Sequence, residues 1–443
     1  PQLLDAVAHL DECGSLLTVT KDDMDALAGD LASLAGESTI FGGSAVEKLE
    51  LMRAELEPLG RSYDVVVANP PYMGSSSLGR WMSAWVKKRY PEAYRDLCTS
   101  FIDRGFSLSR TDGYSAMVTM QSWMFLGSFE RLRGKILRGH SISSMAHLGT
   151  RAFGQIAGEV VSTTATVFAN AKSEVRGAYF RLVDMGSEAE KREGLLEALA
   201  NPGCGWFYRR DADAFSQIPG SPIAYWTSNG FREAFVCGMP LGNLTDTHLG
   251  MATCDNNRFL REWWEVPASG LAKPANYPYD FTEVSWIPYC KGGSFRKWSG
   301  NDEWVVNWKN KGSQLENAGA VMVNDSLRFR AMDSWTRVSS GALAVRFKRQ
   351  GYLFDMTGPG AFGSELDLKY VLAFLNSQVG LAFASFLSAS LDFQPGQIGR
   401  YPLIKSSVEA ASVEFAANKC IRLSSSDWDS FETSWEFERH PLI

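Results

Sequence analysis

The first part of the chain alternates between short apolar runs and longer segments in which apolar residues recur every three or four positions. The short runs have the length of strands and lie at 64–68, 114–120, 142–148 and 160–169. The helical spacing is found at 45–58, 80–90, 94–109, 127–138 and 186–200. Strands that alternate with helices are typical of a parallel, doubly wound sheet, so we expect an α/β domain here.

The pattern changes after the Asn-Pro-Gly turn at 201–203. Nine of the 14 tryptophans lie between Trp206 and Trp335, and short aromatic runs broken by Gly and Asn replace the long helical segments. This texture predicts a mixed, mostly β domain with a helical carboxyl-terminal part. We therefore expect two domains, at 1–200 and 201–443.

Composition is that of a globular protein, with 45% hydrophobic and 21% charged residues. The sequence contains no run of eighteen apolar residues, and its seven cysteines and five histidines show no metal-ligand spacing. We expect a cytoplasmic protein with no membrane partner and no bound metal.

The net charge of −6 disfavours a nucleic-acid partner, but charge is unevenly distributed. Residues 286–350, here called the basic segment, hold eleven Lys or Arg against five Asp or Glu. A local excess of cations is typical of a surface that follows phosphates, although a solvated charged face gives the same pattern. The candidate DNA-binding residues in this segment are Lys291, Arg296, Lys297, Arg346, Lys348 and Arg349.

The strongest chemical signal is the loop Asn69-Pro70-Pro71-Tyr72, directly after the strand predicted at 64–68. Ligands bind at the carboxyl ends of strands in open α/β sheets. The Asn69 side-chain oxygen and the Pro70 carbonyl can each accept a hydrogen bond from an exocyclic amine, and Tyr72 offers a flat face for stacking. The loop therefore suits a planar base with an amino group.

This motif and its strand resemble the catalytic motif of amino-group DNA methyltransferases, in particular the gamma-type adenine-N6 enzymes. Within that group the chain is most similar to type IIG restriction–modification enzymes and to the PglX methyltransferases of BREX phage defence. Segments 12–17, 117–137 and 148–169 also resemble this family, although Met120 and Gln121 stand where a proline is common. The resemblance implies a Rossmann-like methyltransferase sheet, S-adenosylmethionine as cofactor, and double-stranded DNA as partner.

The family's motifs also suggest roles for two residues. Phe153 matches the aromatic residue that stacks on the flipped adenine opposite the tyrosine of the motif, and a core position is the alternative. Asp11 could hydrogen-bond the adenine of the cofactor, and a surface carboxylate is the alternative.

The second half carries phrases similar to the target-recognition region of the PglX group, at 255–261, 286–293, 296–298, 305–308, 340–341, 344–347, 358–362, 372–377, 393–394 and 401–403. A short protein-glutamine methyltransferase shares the Asn-Pro-Pro-Tyr motif but would lack this half. The glycine-rich turn that cradles S-adenosylmethionine in the family has no counterpart here, so we expect a partial sheet and a carboxyl-terminal piece of a longer protein.

We therefore expect an adenine-N6 DNA methyltransferase core joined to a target-recognition domain, in phage defence or restriction–modification, with other defence-system proteins as further partners. Two alternatives stay open. The motif also admits the N4 amine of cytosine, and a piece of this kind could be a DNA-binding specificity module without catalysis.

Overall fold

The structure, a computed structural model, describes residues 8–36, 42–153, 161–339, 341–387, 392–440 and 442. The chain divides into two compact units, Pro1–Arg232 and Glu233–Ile443. This division lies later than the boundary expected at 200/201, because Phe215, Ile223 and Tyr225 are buried in the core of the first unit.

The first unit contains a helical amino-terminal part followed by alternating strands and helices. Its elements are α1 (Leu10–Cys13), α2 (Lys21–Gly36), α3 (Gly42–Gly60), β1 (Tyr63–Ala68), α4 (Arg80–Arg89), α5 (Leu97–Leu108), β2 (Ser109–Met120), α6 (Glu130–Gly139), β3 (Ser141–Gly149), β4 (Thr163–Ala169), β5 (Gly177–Arg181), α7 (Glu188–Ala200), β6 (Phe207–Arg210) and α8 (Asp213–Ser216). The helix α9 (Asn229–Cys237) contains the boundary between the units.

The six strands form one mixed sheet in the order β1-β2-β4-β3-β5-β6. β1 is parallel to β2, and β3 is parallel to β5. β4 runs antiparallel to both β2 and β3, and β6 runs antiparallel to β5. The α/β class is confirmed, but the expectation of a parallel sheet is wrong for β4 and β6. Among the described residues no helix separates β3 from β4, so the chain can return beside β3 in the opposite direction, whereas a parallel neighbour needs a crossover.

The two faces of the sheet differ in their covering. Met117 and Phe168 point into the main core, which α3, α4, α5 and α6 also line. On the opposite face, α7 packs through Ala198 against Phe180. At the free end of the sheet Val67 is 76% exposed, and among the described residues β1 pairs with a strand on one side only.

Local sequence explains where several helices begin. The Asp96 carboxylate accepts a hydrogen bond from the Cys98 backbone N–H and caps α5. Ser187 caps α7 in the same way through the Glu190 N–H. Such caps satisfy amide groups that have no partner inside the helix.

The second unit combines short strands with a helical carboxyl-terminal part. Its elements are β7 (Met239–Pro240), β8 (Asp246–His248), α10 (Asn256–Phe259), β9 (Leu260–Glu262), β10 (Trp286–Cys290), β11 (Trp304–Asn307), α11 (Ser313–Asn317), β12 (Met332–Trp335), β13 (Val345–Lys348), β14 (Leu353–Phe354), β15 (Gly360–Phe362), α12 (Glu365–Asn376), α13 (Gln378–Leu387), α14 (Pro395–Ile398), β16 (Pro402–Leu403) and α15 (Ala410–Trp428). Two four-stranded sheets, β14-β10-β11-β9 and β13-β12-β15-β8, form its centre, and β16 pairs with β7.

Within the described part of the chain, no single helix has the length and apolar composition needed to cross a membrane. The helices α12 and α13 reach that threshold only when taken together, and the pair bends by 73° at its break.

Candidate active site at the carboxyl end of β1

The motif predicted from the sequence lies in the loop that leaves β1. The register pairs Ala68 with Met117, so the carboxyl ends of β1 and β2 lie at one edge of the sheet. β3 runs in the same direction, since β4 is antiparallel to both β2 and β3. Residues that follow these three strands are therefore brought to a common edge, as expected for a ligand site in an α/β sheet.

The polar groups of the motif are largely unused by the protein. Asn69 and Pro71 are exposed, Pro70 is buried, and Tyr72 is half-buried. The Tyr72 hydroxyl donates a long hydrogen bond to Asn69 Oδ1, at 3.3 Å. Among the described residues, neither the Asn69 side-chain nitrogen nor the Pro70 carbonyl has a hydrogen-bond partner. Two acceptor oxygens are thus available next to an aromatic ring.

The loop is anchored just after the motif. The Leu97 backbone N–H donates to the Met73 carbonyl at 2.9 Å, at the residue where α5 begins. Gly74 forms an isolated antiparallel bridge with Asp96, which caps the same helix. The loop is therefore fixed to the first turn of α5, while the only hydrogen bond between its own polar side chains among the described residues is the long one from Tyr72 to Asn69.

Tyr72 lies near Cys98, a buried residue in the first turn of α5. Burial raises the pKa of the Tyr72 phenol, and the nearby Cys98 thiol raises it further. Burial also raises the pKa of Cys98 well above its usual range. Both groups are therefore neutral at physiological pH, and the motif faces no fixed charge from either of them.

The other two residues suggested by the resemblance, Phe153 and Asp11, lie on different elements of the first unit. Phe153 is half-buried and follows β3, so the topology places it at the same edge of the sheet as Asn69. Asp11 is exposed on the short helix α1. Its neighbour His9 stacks on Trp81 with ring centroids 3.8 Å apart, so α1 lies beside the beginning of α4. Residues 154–160 lie outside the described part of the chain.

Sequence reasoning missed a buried polar cluster at the same edge. His147, near the end of β3, contacts the Gln121 Oε1 through Nε2 at 2.7 Å and the Tyr225 hydroxyl through Nδ1 at 2.9 Å. Burial, together with the nearby charge of Arg181, lowers the pKa of His147 to about 3. The alternation along β3 was the available signal, because it places His147 on the same face as the buried Met145.

The structure corrects the prediction for two cations of the basic segment. Arg346 is 1% exposed, and its guanidinium donates to the Arg296 carbonyl and the Thr336 hydroxyl. Burial lowers its pKa to about 10. Lys348 is 3% exposed and forms a 2.5 Å ion pair with Asp302. The prediction that these two residues contact DNA disagrees with the structure, because both heads are enclosed and hydrogen-bonded inside the second unit.

The other four predicted cations keep part of their surface. The Arg296 guanidinium pairs with Asp427 at 2.5 Å, and the Lys297 ammonium donates to the Asn376 carbonyl at 2.8 Å. Lys291 lies over the Trp304 ring at 4.5 Å from its centroid. Arg349 is the most accessible, with a half-exposed side chain 3.8 Å from Glu436. For these residues a role in DNA binding stays a prediction.

Among the described residues, no group of three or more His, Cys, Asp or Glu side chains is arranged to hold a metal ion.

Residues 44–153 match the family described as Eco57I restriction-modification methylase. This range includes the Asn69–Tyr72 loop and ends at Phe153. The chain is also similar over most of its length to two curated proteins. It is 38% identical over 438 residues to the adenine-specific methyltransferase BrxX of Escherichia coli O9:H4 (strain HS), covering 97% of this chain and 35% of that protein.

The second relative is the adenine-specific methyltransferase PglX of Lacticaseibacillus casei (strain Zhang), 38% identical over 396 residues, covering 87% of this chain and 33% of the relative. The chain thus spans about a third of the length of both. Among solved structures, the Type IIL restriction-modification enzyme MmeI in complex with DNA aligns with a TM-score of 0.53 over 87% of this chain and 52% of that chain. At 11% identity this likeness concerns the fold.

Proposed function

This chain is a homologue of the adenine-specific methyltransferases BrxX and PglX, and we propose that it carries the base-binding side of an adenine-N6 DNA methyltransferase site. The observation that supports this most directly is the Asn69–Tyr72 loop. Among the described residues the Pro70 carbonyl has no hydrogen-bond partner and Asn69 Oδ1 accepts only the long bond from Tyr72, and the loop is anchored at the carboxyl edge of the sheet. The proposed setting is a phage-defence or restriction–modification system in the cytoplasm, with double-stranded DNA as substrate and other defence proteins as partners.

The reaction requires the amine of the base to lie outside the duplex, because inside it the amine is paired. Extruding a nucleotide costs a few kcal/mol, which stacking and hydrogen bonds in the pocket offset. We assign the two amine hydrogens to Asn69 Oδ1 and the Pro70 carbonyl. Tyr72 stacks on one face of the base, and Phe153, at the same edge, is assigned to the other.

These contacts would accelerate transfer by placement and electrostatics. Two acceptors on the N–H groups increase the electron density of the nitrogen and orient its lone pair. The cofactor, which we propose is S-adenosylmethionine, supplies an electrophilic methyl group. The protein needs no nucleophile of its own for this chemistry, so a serine or cysteine dyad is not required.

Asp11 is the residue that the family resemblance connects with the cofactor, and it directly precedes segment 12–17. Asp11 is exposed there, and a Cβ added at Gly14 would meet no atom within 4 Å. The sequence supplies no counterpart of the glycine-rich turn that would hold the methionine part of the cofactor, so we derive no step through it. A contact between Asp11 and the cofactor stays a prediction.

Replacing Asn69 tests the proposal. In the full-length protein, Asn69→Ala should reduce N6-methyladenine in host DNA by at least about 100-fold, as expected when a donor or acceptor that acts in the transition state is removed. DNA affinity should stay close to that of the unmodified protein, because the carboxamide acts only after the base is extruded. Nucleosides from digested DNA would be quantified by mass spectrometry.

The matched control is Asn317→Ala, which removes an exposed carboxamide from the last residue of α11 in the second unit. It should leave methylation unchanged. Undiminished N6-methyladenine in the Asn69→Ala strain would remove the proposal. N4-methylcytosine in the digest of the unmodified protein would keep the mechanism but replace adenine by cytosine. Specific DNA binding with no methylated nucleoside would favour a specificity module.

A further inference from the structure

Gln121, His147 and Tyr225 form a cluster in which the first two residues lie at the carboxyl ends of β2 and β3, the edge of the sheet from which the Asn69 loop leaves β1. Gln121 directly follows β2, and His147 is two residues from the end of β3. The Cys98 thiol connects this region to the motif. It lies within hydrogen-bond reach of the Met120 backbone, and it is close enough to Tyr72 to affect the phenol.

The hydrogen bonds of this cluster have a defined direction. Tyr225 is fully buried, and burial raises its pKa, so its hydroxyl keeps its proton and must donate it. Among the described residues its only hydrogen-bond partner is His147 Nδ1, at 2.9 Å. Nδ1 is therefore an acceptor.

The tautomer of His147 follows from this. His147 is neutral, since burial lowers its pKa to about 3, and a neutral imidazole carries one N–H. With Nδ1 accepting, the proton is on Nε2, which donates to Gln121 Oε1 at 2.7 Å. The orientation of a side-chain amide is assigned from such a network, and this network assigns the oxygen of Gln121 to His147.

The amide nitrogen of Gln121 is consequently directed away from His147. Gln121 is half-buried, and its nitrogen has no hydrogen-bond partner within the described part of the chain. A pair of N–H donors is thus held at the edge of the sheet where Asn69 and Pro70 provide acceptors. A planar ligand would match this arrangement if it presented a hydrogen-bond donor to Asn69 and Pro70 and, beside it, an acceptor to Gln121.

We propose that Gln121 is a specificity-determining residue that donates a hydrogen bond to the ring nitrogen adjacent to the exocyclic amine of the target base, with His147 and Tyr225 as its positioning residues. The inference rests on the proposed function. In adenine, the N6 donor adjoins the N1 acceptor. Guanine and thymine present an oxygen and a ring N–H there, which would place donor against donor. Cytosine has the same order as adenine, so this contact selects amino bases over oxo bases.

The test uses the full-length protein and a duplex that contains its methylation site, with 1-deazaadenine in place of the target adenine. This analogue keeps the amine but has C–H instead of the N1 acceptor. With the unmodified protein, kcat/KM for the analogue should be about 10- to 100-fold lower, the range of one base-edge hydrogen bond. In Gln121→Met, which has similar length and no donor, the two duplexes should be methylated at similar rates.

The ratio of the two rates is measured within one variant, so it does not depend on the fraction of folded protein. A purely structural role for Gln121 would lower both rates and keep their ratio. Gln121→Glu replaces the donor by an acceptor of the same shape, and it should methylate adenine more slowly than Gln121→Met does. His147→Phe should also reduce the ratio, because it releases the amide.

An unchanged ratio in Gln121→Met would overturn the inference while methylation by the unmodified protein still supports the proposed function. No methylation by the unmodified protein would instead defeat the proposed function. Where turnover of a variant is too slow, the ratio of affinities for the two duplexes, measured with a non-reactive analogue of the methyl donor present, gives the same comparison.

Discussion

Among the described residues, the exposed Asn69 carboxamide at the end of β1 accepts one hydrogen bond, of 3.3 Å, whereas the buried Arg346 guanidinium in β13 donates to two oxygen acceptors of its own unit. Both side chains are polar and both were candidates for contact with DNA. The protein leaves the first uncommitted and uses the second to join its own strands and loops. The first can bind a ligand by giving up at most one long hydrogen bond, whereas the second can do so only by losing two hydrogen bonds inside its own unit.

The difference between these two side chains shows that a count of charged residues omits whether each charge is exposed or buried. The positive excess of the basic segment is a property of the sequence, but a cation contributes to the surface field only where its head reaches solvent. Lys348 and Arg346 do not, and removing a buried charge from water must be offset by nearby acceptors. Asp302 and the backbone carbonyls around Gly300 perform this role for Lys348.

The largest effect on the free energy of unfolding is expected from Lys348→Met. This substitution tests the comparison, because a lysine that acted at the surface could be replaced with little loss of stability. The substitution keeps the aliphatic stem and leaves Asp302 without its 2.5 Å partner. Loss of one member of a buried ion pair should lower the free energy of unfolding by about 3–5 kcal/mol. Denaturant unfolding of the purified protein would measure this.

Lys419→Met is the control, at an exposed position of α15 in the same unit, and its effect should be within about 0.5 kcal/mol. If Lys348→Met and Lys419→Met were equally stable and Lys348→Met bound DNA more weakly, Lys348 would be a surface residue that contacts DNA.

A second prediction concerns His147, a buried polar side chain of the first unit that can be compared with Lys348 in the second. Its folded pKa of about 3 lies below the ordinary value of 6.5, so the unfolded chain binds more protons between these values. The stability contributed by neutral His147 is present above about pH 6.5 and is lost as the pH falls towards 3. Compared with His147→Phe, the unmodified protein should lose roughly 1.4 kcal/mol more per pH unit between pH 6 and 4.

Unfolding free energies measured at several pH values would give this difference. Above pH 7.5 the difference between the two proteins should be constant, which serves as an internal control. A difference that is equally flat below pH 6 would mean that His147 is charged or solvated in the folded protein, and the tautomer argued for Gln121 would no longer follow.

The smallest expected effect belongs to Arg349, the accessible cation that the comparison leaves as a DNA-binding candidate. Arg349→Glu should weaken DNA binding, and loss of one phosphate contact should lower the slope of log affinity against log salt by about 0.9. Binding isotherms at several salt concentrations would measure the slope. Lys419→Glu makes the same charge change elsewhere in the unit and should leave the slope unchanged. If the salt dependence had the same slope for Arg349→Glu and Lys419→Glu, the basic segment would be a solvated charged face that does not contact DNA.

The parts of the fold that sequence could predict are those determined by neighbouring residues. β1 and the loop after it follow from an apolar run closed by two prolines, and α5 begins where Asp96 can cap it. The direction of β4 and the burial of Lys348 depend on partners elsewhere. Lys348 meets an aspartate 46 positions earlier, and His147 meets a tyrosine 78 positions later. A pattern of neighbouring residues cannot predict contacts between residues so far apart in the sequence.

The side of β1 that pairs with no strand in the described part of the chain has a consequence for behaviour in solution. An unpaired edge presents a row of backbone N–H and C=O groups that another strand can extend, and proteins usually protect such edges with charge, proline or a covering segment. Here Val65 and Val67 are exposed beside that edge, at 56% and 76%. Preparations of these 443 residues alone should therefore self-associate through β1 as concentration rises, and its outward amides should exchange with deuterium well before those of β2.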